Sequence, residues 1–176
     1  MPVRLEGSCH CGAVRFTAQS NTPVPYQLCV CSTCRKVGGV SGSILLSART
    51  NTFQVLQGEE DVGIYEAVID RDTAYQCTAI SQRNFCLKCS AMMWLYDKMW
   101  PDLIYPFASA IDTPELEAPQ ELVVVQASSK PAYVRLPEGA KVVYEGYDTE
   151  ADDEFDDADG PYAHHTWHKK HGKAVE

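Results

Sequence analysis

At 176 residues the chain can build one domain with a real core, or one domain and a tail, and its 45% apolar content is ordinary for a folded protein. It has no apolar run of about 18 residues, so no membrane-spanning helix is expected. The first eight residues lack the apolar core of a signal peptide, which points to a cytoplasmic setting, or a nuclear one. The net charge of −9 is concentrated, since the eight acids at 148–159 account for all but one of it, and the body shows no basic face for nucleic acid.

In chain order, residues 7–12 (Gly7, Ser8, Cys9, His10, Cys11, Gly12) read as a turn, with two glycines to let the backbone bend around an ion. His10 reads as an exposed turn residue, although it could replace a thiol as a ligand. The turn enters a strand in which Val14 and Phe16 alternate with Arg15 and Thr17. Residues 21–26 read as a proline-marked loop leading to Cys29, Cys31 and Cys34, three thiols within six residues. Arg35 and Lys36 follow as a short basic turn. Strand candidates come next at 43–47, 52–56, 62–69, 74–80, 103–108, 122–127, 132–136 and 141–144, with glycine and proline between them. No long stretch has a helical period, so the expectation is a mainly β domain with at most one short helix.

Cys86 and Cys89 form a Cys-x-x-Cys knuckle. Cysteines one or two residues apart converge on a metal far more easily than they bridge one another, and reduced surroundings favour metal. Seven clustered thiols divide into four plus three, a closed tetrahedral site and a site with one open position. Cys77 stands apart in a strand-like run and reads as a small buried hydrophobe. Trp94, Tyr96 and Trp100 read either as core or as the wall of a pocket. Residues 148–176 form a separate tail, first acidic, then rich in histidine and lysine.

The run from Gly7 to Phe16, the Cys-x-Cys-x-x-Cys-Arg-Lys of Cys29 to Lys36, and Phe85-Cys86-x-x-Cys89 together resemble the glutathione-dependent formaldehyde-activating enzyme family, whose domain is also named after centromere protein V. The resemblance implies an Mss4-like fold of short antiparallel strands over 1–147 and two zinc ions. One ion is structural, on Cys9, Cys11, Cys86 and Cys89. The other is reactive, on Cys29, Cys31 and Cys34. The resemblance also implies glutathione as co-substrate and carbon–sulfur bond making or breaking, with Arg35 and Lys36 available for the glutathione carboxylates. A zinc-stabilised interaction module with both ions structural is the alternative, and an eighth protein ligand would favour it. Two positions depart from the family pattern. Ser90 stands where a glycine usually follows the last cysteine, so that turn is expected to form without easy access to positive φ, and Tyr133 stands where a tryptophan is common.

Overall fold

The computed structural model describes residues 2–39 and 41–146. The acidic and histidine-rich tail expected at 148–176 lies outside the described residues. Within them the chain runs β1 (Val3–Ser8), β2 (Arg15–Ser20), β3 (Thr22–Cys29), α1 (Ser32–Gly38), β4 (Ser43–Arg49), β5 (Gln54–Gln57), β6 (Val62–Ile69), β7 (Cys77–Cys86), β8 (Met92–Asp97), β9 (Leu103–Pro106), β10 (Ile111–Thr113), β11 (Leu122–Val125) and β12 (Lys141–Val143). None of the described helices is long and apolar enough to cross a membrane.

The strands form two sheets, of order β10-β1-β2-β5 and β12-β11-β3-β4-β9-β8-β7-β6. Their shared core centres on Phe16, whose ring lies 5.7 Å from Phe53 and 5.1 Å from Trp94, with Trp94 and Phe53 themselves 4.7 Å apart. Trp94 is therefore core and not a pocket wall, and Trp100 packs on the rim of the same cluster. Truncating Phe16 to alanine would cost about 3–5 kcal/mol by the cavity it leaves.

Several expectations are corrected here. Residues 22–26 belong to β3 and not to a loop. Pro23 and Pro25 are tolerated because the register of β3 against β4 breaks between Thr22 and Gln27, where a ladder donor is not required. β8 is a further strand that gave no alternation to read, because Met92 to Tyr96 is an unbroken apolar run, with Met93 and Trp94 buried and the others half-buried. Residues 132–136 form no strand; Val134 is buried, and its N–H closes a turn on Pro131 O at 3.0 Å. Not all pairing is antiparallel, since β11 runs parallel to both β3 and β12. The chain reaches β11 from the small sheet through an eight-residue connection after β10, long enough to set its direction freely.

Gly7 is part of β1, not of the turn. It pairs with Phe16, whose ring an added Cβ would overlap, so the missing side chain makes room for the core. Gly12 does serve the turn, with φ of 73°.

Candidate metal centres

The first cluster is built from two turns of similar design. Cys9 leaves β1 with its N–H on Val14 O at 3.1 Å, while Gly12 N–H closes on Cys9 O at 2.9 Å. Cys86 leaves β7 with its N–H on Ala91 O at 3.0 Å, while Ser90 N–H closes on Cys86 O at 2.8 Å. Each turn also aims amides at its sulfur: Val14 N–H donates to Cys9 Sγ at 3.2 Å and Lys88 N–H to Cys86 Sγ at 3.4 Å. Both turns pass through a left-handed residue, Gly12 in one and Ser90, at φ of 62°, in the other. Ser90 thus takes the positive φ to which a serine has no easy access. The knuckle demands that conformation, and serine adopts it at a cost of roughly 1 kcal/mol.

The two turns face each other across the gap between the sheets. Cys9 Sγ lies 3.5 Å from Cys11 Sγ, which lies 3.9 Å from Cys86 Sγ, and all four sulfurs, Cys89 included, fall within 4.8 Å of one another. These separations are far beyond a disulfide bond, and all four thiols are free. The Ala91 and Cys11 N–H groups hold the Cys89 thiol down at about 6. Burial pushes Cys9 upward, but the Val14 N–H and the neighbouring thiols bring it below its ordinary value. Cys11 receives the Ala13 N–H, yet its contacts with Cys9 and the other thiols raise it to about 11.

The second cluster comes from a single short segment. Cys29 ends β3, Cys31 is the N-cap of α1, and Cys34 sits in its first turn; their sulfurs also lie within 4.8 Å of one another. Cys34 N–H donates to Cys31 Sγ at 3.3 Å, so a thiol does the capping usually left to an oxygen. The Cys29 and Cys34 thiols also point at Cys31, and together these donors lower Cys31 to about 2. Cys29 moves upward because Cys31 and Cys34 crowd it and because it is buried. Cys34 is drawn down by Cys29, but Cys31 and burial raise it on balance, against a smaller downward pull from the charge of Arg83. Val123 and Val125 pack on the cluster, with Tyr144 partly covering it. Ser43 Oγ donates to Cys34 O at 3.1 Å and ties α1 to β4.

All seven clustered cysteines named from the sequence are brought together in two groups of four and three. Arg35 Nη1 donates to Val30 O and, at 2.8 Å, to Ser129 O, clamping the cysteine segment to the turn after β11. Lys36 is exposed on α1. His10 is exposed and stands outside both groups, as does Cys77. Cys77 is itself exposed, contrary to the buried reading, because the β6–β7 hairpin carries it beyond the core.

Two features had no signal in the sequence. One is a cavity of about 680 Å³ beside the first cluster, whose lining includes Cys9, His10, Ser90 and Asp112 together with Val37 and Ser43. The other is Arg83, whose burial follows only from the register of β7. Trp94, Tyr96 and Trp100 take no part in lining that cavity.

The chain is similar to known proteins in sequence and in fold. Residues 4–127 match the family model described as glutathione-dependent formaldehyde-activating enzyme. A Halomonas elongata protein, provisionally named a glutathione-dependent formaldehyde-activating enzyme, is 44% identical over 133 residues, covering 75% of this chain and 80% of that protein. A crystal structure of a Rhodobacter sphaeroides protein superposes with a TM-score of 0.50 at 23% identity, over 62% of this chain and 90% of that one, a likeness of fold alone. With its cysteines grouped four and three on this two-sheet frame, the chain belongs to the glutathione-dependent formaldehyde-activating enzyme family.

Proposed function

We propose that the chain is a zinc enzyme of the carbon–sulfur lyase type acting on glutathione adducts. The reaction would be formation and cleavage of S-hydroxymethylglutathione, or of a related thiol adduct. The observation that carries this reading is the count of three thiols at the central cluster against four at the other.

Zinc fits the donors. A tetrahedron with zinc–sulfur bonds of about 2.3 Å sets its sulfurs about 3.8 Å apart. The separations of 3.5 and 3.9 Å in the four-thiol cluster bracket that value. Cys9, Cys11, Cys86 and Cys89 would hold a closed, structural ion. Cys29, Cys31 and Cys34 would hold a second ion, which when bound supplies one electrophilic position for a soft exogenous sulfur.

The chain's own part is to hold the Cys31 thiolate formed and to keep the cluster dry. The Cys29 and Cys34 thiols, and then the amides of Cys34 and Thr33, donate to the Cys31 thiolate and stabilise it, and Val123 and Val125 limit water at the buried side. In the forward direction the glutathione sulfur attacks the aldehyde carbon, a carbon–sulfur bond forms and the carbonyl oxygen takes a proton; the reverse breaks that bond. We assign Arg35 and Lys36 to the glutathione carboxylates. Lys36 is the freer of the two, because Arg35 Nη1 already serves two backbone carbonyls. Residues 1–147 are taken as the working domain, in the cytoplasm, with 148–176 as an appended tail. An interaction module with two structural ions would need a fourth protein ligand at the central cluster, and the described residues supply none.

Calorimetry of the full chain with glutathione and with S-methylglutathione tests the reading. Glutathione should bind with proton release and tighten as pH rises towards the free thiol's pKa, about 8.5–9. S-methylglutathione, which cannot become a thiolate, should bind far more weakly. Equal affinity, or no proton release, would remove the sulfur contact and with it the proposed chemistry.

A further inference from the structure

The cavity of about 680 Å³ is in the size range of sites that enclose a drug-sized ligand, and far larger than a one-carbon aldehyde requires. Part of its lining comes from the small sheet, with Ser8 at the end of β1 and Asp112 in β10. Another part, the end of α1 and the start of β4, runs into the three-thiol segment. Ser43 is the ladder partner of Cys29, and its Oγ donates to Cys34 O at 3.1 Å. Cross-strand partners share a face, so the Cys29 thiol and the Ser43 hydroxyl project to the same side of the sheet. Gly42, also in the lining, is so close that an added Cβ would overlap the Cys29 carbonyl oxygen. Val37 and Gly38 stand three and four residues past Cys34, the spacing that shares a helix face.

The charge of the cavity is one-sided. Its lining holds a single carboxylate, Asp112, and no lysine or arginine. Asp112 Oδ2 accepts a hydrogen bond from Ser8 Oγ at 2.6 Å, and among the described residues no cation pairs with it. An ionised carboxylate only accepts, and one hydroxyl leaves most of its lone pairs open. A group that docks there has to donate, and a charged donor gains the most. A carboxylate of the ligand would be repelled from the same spot.

We infer that this cavity is the amino-end pocket of the three-thiol site. Asp112 would receive the ammonium group of an incoming thiol whose sulfur meets Cys29, Cys31 and Cys34. Glutathione carries its ammonium on the γ-glutamyl end, so that end occupies the cavity and the glycyl carboxylate is left for α1, where Lys36 is exposed. The substrate class narrows to thiols that carry a primary amine several bonds from sulfur. The inference rests on the proposed function for its sulfur contact, while the amine contact is tested by itself.

The test is calorimetry of the zinc-loaded full chain with glutathione and with glutaryl-cysteinylglycine, which lacks only the ammonium, in wild type, Asp112→Asn and Ser109→Trp. Wild type should bind glutathione about three- to tenfold more tightly than the analogue. In Asp112→Asn the two ligands should bind alike. Asp112 is exposed in a three-residue strand and asparagine keeps its shape, so the fold is not at risk. Equal binding of the two ligands by wild type, or a preference that persists in Asp112→Asn, would overturn the assignment. Ser109, an exposed residue of the lining, probes the cavity itself. An indole there should weaken both ligands about tenfold or more with the melting temperature unchanged, and unchanged affinity would equally overturn the inference. If glutathione and S-methylglutathione bind alike while Asp112→Asn still abolishes the preference for the amine, the sulfur contact falls and the amine pocket stands. Glutathione failing to bind wild type would bring down both.

Discussion

Cys11 and Cys86 lie 3.9 Å apart across 75 positions of sequence, whereas Cys29, Cys31 and Cys34 fall within one turn of chain. The first cluster joins the end of β1 in the small sheet to the end of β7 in the large one. The second joins residues that the β3–α1 junction already holds together. Closing a loop of 75 residues costs about 3 kcal/mol more chain entropy than closing one of three. A metal at the first site therefore stabilises long-range order, while one at the second mainly changes local chemistry. Ligand type is the same in both, and sequence separation decides which site the fold depends on.

The sharpest way to break that contrast is to remove one sulfur from each site. Cys86→Ser and Cys9→Ser should each lower the melting temperature by roughly 15 °C or more, the loss of a structural metal being among the largest single-site effects. Cys31→Ser should melt within about 5 °C of wild type while losing glutathione binding, because its neighbours stay in place through α1 and β4. Thermal melts of the three variants beside metal analysis decide it. Equal losses would mean that the separation argument is wrong.

A chelator probes the same difference more gently. The ion held by three protein sulfurs should leave at lower chelator concentration than the ion held by four. A colorimetric metal reporter should then record two phases, with glutathione binding lost in the first and near-native melting lost only in the second. A single phase would make the two sites equivalent.

What the sequence made legible tracks this division. The cysteine groups could be read because metal ligands come in close pairs, and Val14 with Phe16 could be read because alternation is local. The pairing of β11 with β3 could not, since Val125 meets Cys29 across the whole intervening fold. Arg83 could not be singled out either. An arginine in a strand is ordinarily exposed, and only the register beside Leu95 and Tyr65 reveals that it is covered. Cys77 misled in the opposite sense. Its run looks half-buried, but the hairpin projects past the core and leaves Ile69, Tyr75 and Ile80 exposed with it.

Within the four-thiol cluster the two turns can also be set against each other chemically. Once metal is removed, Cys89, lowered to about 6 by the Ala91 and Cys11 amides, is largely thiolate at pH 7.5. Cys11, raised to about 11, remains a thiol there. Iodoacetamide should therefore label Cys89 well before Cys11, with the Cys89 rate levelling off above about pH 7 and the Cys11 rate still rising at pH 10. The sign for stability follows the same way. Cys89 contributes stability to the metal-free fold above its unfolded value of 9.0, and that contribution is lost as pH falls through about 6. Peptide mapping of labelled protein across pH reads the order directly, and labelling of Cys11 first would reverse the assignment of donors.

The smallest effect lies at the residue that distinguishes the two turns, Gly12 in one and Ser90 in the other. Both occupy the left-handed region, where a Cβ meets the following carbonyl and costs about 1 kcal/mol, a cost that glycine does not bear. Ser90 is exposed, and its N–H bond to Cys86 O depends on backbone alone, so Ser90→Gly removes strain without removing a partner of the turn. Glycine also gives the unfolded chain more freedom, which offsets part of the gain. The variant should therefore be more stable by about 0.5 kcal/mol, a rise of about 1–2 °C in melting temperature, with metal content unchanged. Gly12→Ala makes the reverse change in the facing turn, where an added Cβ has no atom within 4 Å, and it should cost a similar amount through φ alone. Opposite shifts of comparable size would establish that the two turns impose the same backbone on their last residue. A loss of stability in Ser90→Gly would mean that the serine side chain contributes to the knuckle in its own right.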